Sequence, residues 1–346
     1  MSSAPDTLWY TRTPNPTPLG LASQLGWFHD EFRGDGIKIF TLEETTDPAL
    51  RCSRTNHHLA HSFRQGGNVT AIWARAQGTP TRVLGLNWLD EYQGIITLPR
   101  SGIRSPRDLR NRRIGLPLYS KRIESRRSEA LHGFLVALEL GGLRSDEVEF
   151  IDIALEEPGA SLDDPQWLNS QAEYRQLALA LQQGSVDAIY LKGDQGLQLT
   201  QRMQARVVLD ISRHPDPLVR IHNGTPRPIT VHQTMLDRYP DITARFLARI
   251  VAIEQWAADH PAETLAYIGR ETRGGESWIR QAYGADLHLR QQTELSETSI
   301  NALKVQKAFL LKWGFIQNDF NVDEWIDHGP LRQARQLSRD ILATAC

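Results

Sequence analysis

Apolar spacing along the chain alternates between a period of two and a period near 3.6, which predicts strands interleaved with helices. Residues 8–18 begin like a short strand and end in a loop fixed by Pro14, Pro16 and Pro18. Residues 19–32 carry apolar positions at helical spacing and stop at Gly34-Asp35-Gly36, and residues 37–42 alternate as a strand. This order predicts a βαβ unit. Its first loop, with Thr13, Asn15 and Thr17, falls at the carboxyl end of the first strand, where open α/β sheets bind ligands. Simple N-capping or turn formation accounts for those three residues equally well.

Residues 59–75 are expected to hold a helix interrupted or ended near Gly66-Gly67. Strands are expected over 82–88, 92–98, 113–117, 148–153 and 206–211, with helices over 123–140 and 171–183. The run 184–190 turns into another strand. Residues 214–228 carry Pro215, Pro217, Pro226 and Pro228 and read as a crossover or hinge loop before a short strand at 229–231. Beyond Met235 the pattern is mostly helical, over 242–260, 261–269, 278–283 and 296–313, with 318–325 and the tail as a final cap. The apolar stripe of the 296–313 helix reads as core. No internal repeat and no low-complexity segment interrupts this order.

Composition narrows the classes. A chain of 346 residues, 40% hydrophobic and 23% charged, has material for two lobes. A formal charge of −2 argues against a nucleic-acid partner. No stretch approaches the length of uninterrupted apolar residues that a membrane span needs. The first residues lack the basic and apolar segments of a secretory signal, so a cytoplasmic protein is expected, or a periplasmic one if the chain is a trimmed mature form. Cys52 and Cys346 are the two cysteines, which leaves no disulfide framework and no cysteine-rich metal site.

The densest chemistry lies in residues 57–75. Here His57, His58 and His61 precede Arg64, the turn Gly66-Gly67-Asn68 and an apolar run containing Trp73. A guanidinium is a planar fork suited to carboxylate, sulfonate, sulfinate or phosphate. Paired glycines are expected to take positive φ and aim backbone N–H groups at a ligand. Together they predict an anion pocket; an ordinary surface turn is the competing reading. A similar strand–loop–helix at 114–128 offers Ser120, Arg122, Ser125 and Arg126, although an exposed basic helix explains it better. Trp9, Trp73 or Trp88 could wall an organic portion of the ligand.

Phosphate-loop, dinucleotide-binding, His-Glu-x-x-His and Gly-x-Ser-x-Gly motifs are absent, and no cofactor is expected. His57 and His61 would share a helix face, and Glu43, Glu44 or Asp47 could complete a zinc site, but surface or pocket histidines are the preferred reading. Cys52 could be a nucleophile only with a base such as His57 or His58 in reach, and an inert thiol is preferred.

Taken in order, a series of short motifs resembles a known family: 10–16 (Tyr-Thr-Arg-Thr-Pro-Asn-Pro), 22–26, 64–67 (Arg-Gln-Gly-Gly), 113–115, 184–190, 256–260, 283–286 and 309–311. The chain is similar to the 2'-hydroxybiphenyl-2-sulfinate desulfinases and to the sulfonate- and nitrate-type substrate-binding proteins of transporters, nearly end to end. The resemblance implies an α/β, two-lobed periplasmic-binding-protein-like (type II) fold with an interlobe cleft and a helical C-terminal region. It assigns residues 1–100 and 212–346 to lobe I and 101–211 to lobe II. In the desulfinases a first-loop cysteine attacks the sulfinate, helped by a histidine and an arginine. The arginine corresponds to Arg64 and a backbone donor to Gly67. The cysteine position is Thr13 here, and the histidine position falls at Arg54 or at His57–His58.

A threonine hydroxyl is a far weaker nucleophile than a thiolate. The expected function is therefore small-molecule binding of an anionic, sulfonate-, sulfinate- or carboxylate-like ligand, aromatic ones included, with a transporter permease as the candidate partner. The ligand-binding set is Thr13, Arg54, His57, His58, Arg64, Gly66, Gly67, Asn68 and Ser120, with His57 or His58 as a pH-switchable donor. The alternative is a desulfinase-like C–S hydrolase in organosulfur metabolism, with Thr13, His58 and Arg64 as its catalytic residues.

Overall fold

Residues 4–119, 123–155 and 170–344 are described by the structure, a computed structural model. The chain opens with β1 (Thr7–Thr11), whose alternation buries Leu8 and Tyr10. Thr17 then caps α1 (Pro18–Gln24): its hydroxyl accepts from the Gly20 N–H, and Pro18 supplies a preset φ in the first turn. Gly26 adopts φ 77°, which breaks the expected 19–32 helix and starts α2 (Trp27–Phe32). Next come β2 (Lys38–Thr41), α3 (Pro48–Asn56), β3 (Ser62–Gln65), α4 (Asn68–Ala76) and β4 (Thr81–Asn87).

A second series follows: β5 (Gln93–Thr97), β6 (Arg113–Leu118), α5 (Ser125–Leu140), β7 (Glu149–Ala154), α6 (Ser170–Gln182), β8 (Ala188–Lys192), α7 (Gly193–Arg202) and β9 (Arg206–Asp210). After the proline-rich loop comes β10 (Arg227–His232). Then come α8 (Gln233–Arg238), α9 (Pro240–Val251), α10 (Ile253–Asp259), α11 (Pro261–Thr272), α12 (Glu276–Tyr283), α13 (Glu297–Lys312), α14 (Val322–Trp325) and α15 (Gly329–Thr344).

These elements form two compact units, Met1–Leu89 with Gly224–Arg273 and Asp286–Cys346, and Asp90–Asn223 with Gly274–Ala285. In the first unit the sheet order is β2-β1-β3-β10-β4, with β1 parallel to β2 and β3, and β10 antiparallel to β3 and β4. In the second it is β7-β6-β8-β5-β9, with β6 parallel to β7 and β8, and β5 antiparallel to β8 and β9. Each sheet thus centres on a strand, β3 or β8, with a parallel neighbour on one side and an antiparallel one on the other. With helices around both sheets, the architecture is α/β and periplasmic-binding-protein-like.

The first unit is anchored by an aromatic stack. Phe246 of α9 lies between Phe28 (centroids 4.1 Å apart) and Phe63 of β3 (3.9 Å), all within 7° of parallel. All three side chains are fully buried. The second unit encloses an ionic cluster. The Lys192 ammonium lies 2.8 Å from Glu129 and 3.0 Å from Glu91, and His222 bonds Glu129 at 3.1 Å. Although burial pushes the Glu129 carboxyl up, Lys192, the His222 hydrogen bond and Arg126 hold it below its ordinary value.

Several boundaries differ from expectation for physical reasons. The 59–75 stretch is not one helix: Ser62–Gln65 are all buried and pair with β1 on one side and β10 on the other, so the strand wins and α4 begins only after Gly67. β5, assigned from sequence to residues 1–100 of lobe I, pairs with β8 and β9 in the second sheet. The 242–260 helix is interrupted at Ala252 between α9 and α10. Three helices fall outside the expected ranges: α3, despite its Asp47 cap and Pro48, α7, which starts from a left-handed Gly193, and the short α8.

Removing the middle ring of the stack leaves a cavity between two aromatic faces. Phe246→Ala is expected to lower unfolding stability by about 3–5 kcal/mol in chemical denaturation, whereas substitution of the solvent-facing Phe40 costs far less.

Candidate functional site

The site is built on the carboxyl end of β3. In register with Arg64 stand Thr11 of parallel β1 and Thr230 of antiparallel β10, which puts the three side chains on one face of the sheet. α3 and its C-cap carry Arg54 and His57 to Arg64 and Thr230. The Arg64 side chain is held at two points: Nε donates to the Arg54 carbonyl (3.3 Å) and Nη2 to the Gly67 carbonyl (3.0 Å). Its Nη1 is buried and meets no acceptor among the described residues. Arg64 is 4% exposed and bonds no carboxylate among those residues. Burial lowers its pKa to about 10, partly offset by Glu43, so the group stays cationic at neutral pH.

Gly66 is required for this arrangement, by space rather than by backbone conformation. Neither Gly66 nor Gly67 has positive φ, contrary to expectation; Gly67 sits at φ −56°, ψ 139°. A Cβ at Gly66 would lie 2.9 Å from Thr13 Cγ2 and 3.2 Å from Arg64 Nη2. The Thr13 methyl and the Arg64 guanidinium therefore border the space that a side chain at Gly66 would enter, and the structure brings these two together. The Thr13 hydroxyl itself makes one long bond, to the Gln65 carbonyl at 3.4 Å. Helix α4 starts directly after Gly67, so its positive dipole end adds to the local potential.

The remaining candidates are placed differently. Asn68 is fully buried and its amide nitrogen donates to the Pro226 carbonyl (3.0 Å), which ties the start of α4 to the loop before β10. Arg54 pairs with Glu43, Nε to Oε1 at 3.1 Å. His58 is exposed. Ser120 and Arg122 lie outside the described residues. Trp73 is buried on α4.

His57 caps α3 in a left-handed conformation (φ 55°) and is 2% exposed. Its Nε2 contacts the Ser62 carbonyl, which can only accept, so the proton resides there and Nδ1 accepts from Thr230 Oγ1; both distances are 3.3 Å. Burial drives its pKa down to about 3. The expected pH switch near neutrality is therefore not available at His57, whose two nitrogens are engaged. His57 and His61 do not share a helix face either, since α3 ends at Asn56. Cys52 is exposed on α3.

Sequence reasoning gave three neighbours no part in the anion pocket, although Arg12 and Gln65 stand in its motifs and Glu43 was weighed as a zinc ligand. Gln65 is fully buried; its Oε1 caps the start of α1 through the Leu19 N–H (2.9 Å), and its Nε2 has no acceptor among the described residues. Glu43 accepts from the Arg12 N–H (2.8 Å) and the Thr41 hydroxyl (2.9 Å), and burial raises its pKa, partly offset by Arg54. Arg12, next to Thr13, is engaged by Glu271 at 2.6 Å. A buried acid two residues beyond β2 carries no motif, so only the fold could bring Glu43 to Arg54.

A family model described as NMT1/THI5 like matches residues 13–164. The chain is 25% identical to the 2'-hydroxybiphenyl-2-sulfinate desulfinase of Rhodococcus erythropolis, across 94% of this chain and 92% of that protein. The fold is similar to that of a cysteine-to-serine variant of a desulfurization enzyme, crystallised with biphenyl-2-sulfinic acid (TM-score 0.74, 24% identity, 96% of this chain and 99% of that one). It is also similar to the periplasmic aliphatic sulphonate binding protein of Escherichia coli (TM-score 0.64, 14% identity, 94% and 93%). The chain thus resembles both groups that its motifs suggested. No helix among the described residues is long and apolar enough to cross a membrane.

Two outcomes follow from this geometry. Gly66→Ala is expected to fold but to displace Thr13 or Arg64, weakening binding of an anionic probe about tenfold or more in calorimetric titration. His57 has a folded pKa below its unfolded value, so the unfolded chain takes up the extra proton as pH falls from about 6.5 toward about 3. Its contribution to stability is thus complete above pH 6.5 and lost below it. Denaturation midpoints across that window should fall less steeply in His57→Gln than in the parent protein.

Proposed function

We propose that the protein binds a small organic anion, of the sulfonate, sulfinate or carboxylate kind, through Arg64. The observation that carries this is a buried guanidinium pinned by two carbonyls, bonding no carboxylate, with Nη1 left without an acceptor among the described residues. An arginine buried only for stability normally meets a carboxylate, because leaving a charge uncompensated costs several kcal/mol. A guest anion bonded to Nη1 would supply the missing charge and acceptor together. Thr13 would add a hydroxyl beside it, and Gly66 keeps the approach open. The proposed set is Thr13, Arg54, His57, Arg64, Gly66, Gly67 and Asn68; His58, which is exposed, and Ser120, which lies outside the described residues, are left out of it. Within it His57 and Asn68 act by holding the strand and helix that carry the site. The sulfonate-binding relative supports the ligand class, and a transporter permease is the partner such a protein would serve.

The end-to-end likeness to the desulfinase favours a second reading, hydrolysis of an aromatic sulfinate to the arene and sulfite. The local chemistry supports it less. A threonine occupies the position of the attacking cysteine. His57, the buried candidate base, has both nitrogens engaged.

Benzenesulfonate is expected to raise the melting temperature in a concentration-dependent manner, and Arg64→Met to abolish the shift while remaining folded. Sulfite release from 2'-hydroxybiphenyl-2-sulfinate, lost in Thr13→Ala, would replace the binding reading with the hydrolytic one.

A further inference from the structure

The charges around Arg64 bear on which anions the site accepts. Two charged side chains act on its guanidinium: Glu43 attracts it and Arg54 repels it. Glu43 is held in place from three directions, by the Arg12 N–H, the Thr41 hydroxyl and the Arg54 guanidinium. Its side chain is 8% exposed, so it can neither swing to solvent nor be screened by it. The adjacent Arg12 is already neutralised by Glu271. Among the described residues, two guanidiniums against one fixed carboxylate leave a single positive charge to be met.

We propose that Glu43 acts as a charge limiter that makes this a monoanion site, selecting sulfonates, sulfinates and carboxylates over dianionic phosphonates of the same shape. The inference rests on Arg64 being the anion site. A monoanion brings the group of three side chains to neutrality. A dianion leaves an excess negative charge, buried and facing the Glu43 carboxylate, where the effective dielectric is low and repulsion is strong. Glu43 thus excludes a competitor, the repulsive half of specificity. It touches no ligand in this account; its role is to position Arg54 and to set the charge.

Three probes at about pH 8 separate charge from shape, because phosphonate monoesters carry one charge while free phosphonates carry close to two. Titration calorimetry is run with benzenesulfonate, phenylphosphonate and the monomethyl ester of phenylphosphonate. In the parent protein the sulfonate and the monoester are expected to bind comparably, and phenylphosphonate about tenfold or more weaker. In Glu43→Gln, where the amide keeps an acceptor for Arg12 and Thr41, the gap between monoester and phenylphosphonate should close by about fivefold or more. If that variant does not fold, Arg54→Gln makes the opposite change. It removes a positive charge and should weaken phenylphosphonate more than the monoester. Binding that depends on Arg64 but shows the same gap in the parent and variant proteins overturns the charge-limiter role alone. Failure of all three probes to bind in an Arg64-dependent way overturns the anion site and this inference with it.

Discussion

The first unit is arranged around a cation that the fold buries without bonding it to a carboxylate among the described residues. Arg64 occupies the central strand of its sheet, with β1 on one side and β10 on the other, so its backbone is committed to the ladder and its side chain must be accommodated on one face. The solution is local. The carbonyl of Arg54 at the end of α3 and the carbonyl of Gly67 before α4 accept two of its N–H groups. His57 and Thr230 close the layer beneath, and Gly66 yields the space that a methyl group would take. Such a site is costly to maintain in the absence of an anion, and that cost is the physical basis for reading it as functional.

The histidines have a different role from the one their number suggests. A run containing His57, His58 and His61 invites metal or proton-transfer chemistry. Yet the chain uses His57 as a neutral, fully satisfied cap between Ser62 and Thr230 and leaves His58 in solvent. What remains near Arg64 is electrostatic, a pair of guanidiniums and one carboxylate, and it suits recognition better than bond cleavage. The second unit repeats the strand order around β8, but there the cation at the strand end, Lys192, is compensated internally by Glu91 and Glu129. Of the cations on the two central strands, Arg64 and Lys192, Arg64 is the one that bonds no carboxylate among the described residues.

Much of the fold was legible because the apolar periods are clean. The strands of the first βαβ unit, β6 with the long α5, β7, α6, β8 and β9, and the helical character of the C-terminal part follow from spacing and from glycine or proline boundaries, whereas α7 and the breaks at Gly26 and Ala252 do not. The 59–75 stretch misled because Ser62-Phe63-Arg64-Gln65 is buried on both faces and has no period-two pattern to announce a strand. Arg64 and Gly66 were legible as candidates because they adjoin in sequence, and Thr13 because it lies in the first loop at the cysteine position of the resemblance. Thr11 and Thr230 were not, and Glu43 was weighed only as a zinc ligand, since they meet Arg64 or Arg54 only through sheet register and the packing of α3. Positive φ was the wrong argument for Gly66. The right one, the approach of Thr13 and a guanidinium to the space a side chain there would enter, needs coordinates.

The central claim is a bond between an anionic group and Arg64 Nη1. A crystal structure with a bromine-substituted benzenesulfonate, located by its anomalous signal, tests it directly. A sulfonate oxygen within hydrogen-bonding distance of Arg64 Nη1, with Thr13 beside it, is the result the account predicts. A fully occupied sulfonate bound elsewhere while Arg64 keeps its two carbonyl partners and no anion would contradict it.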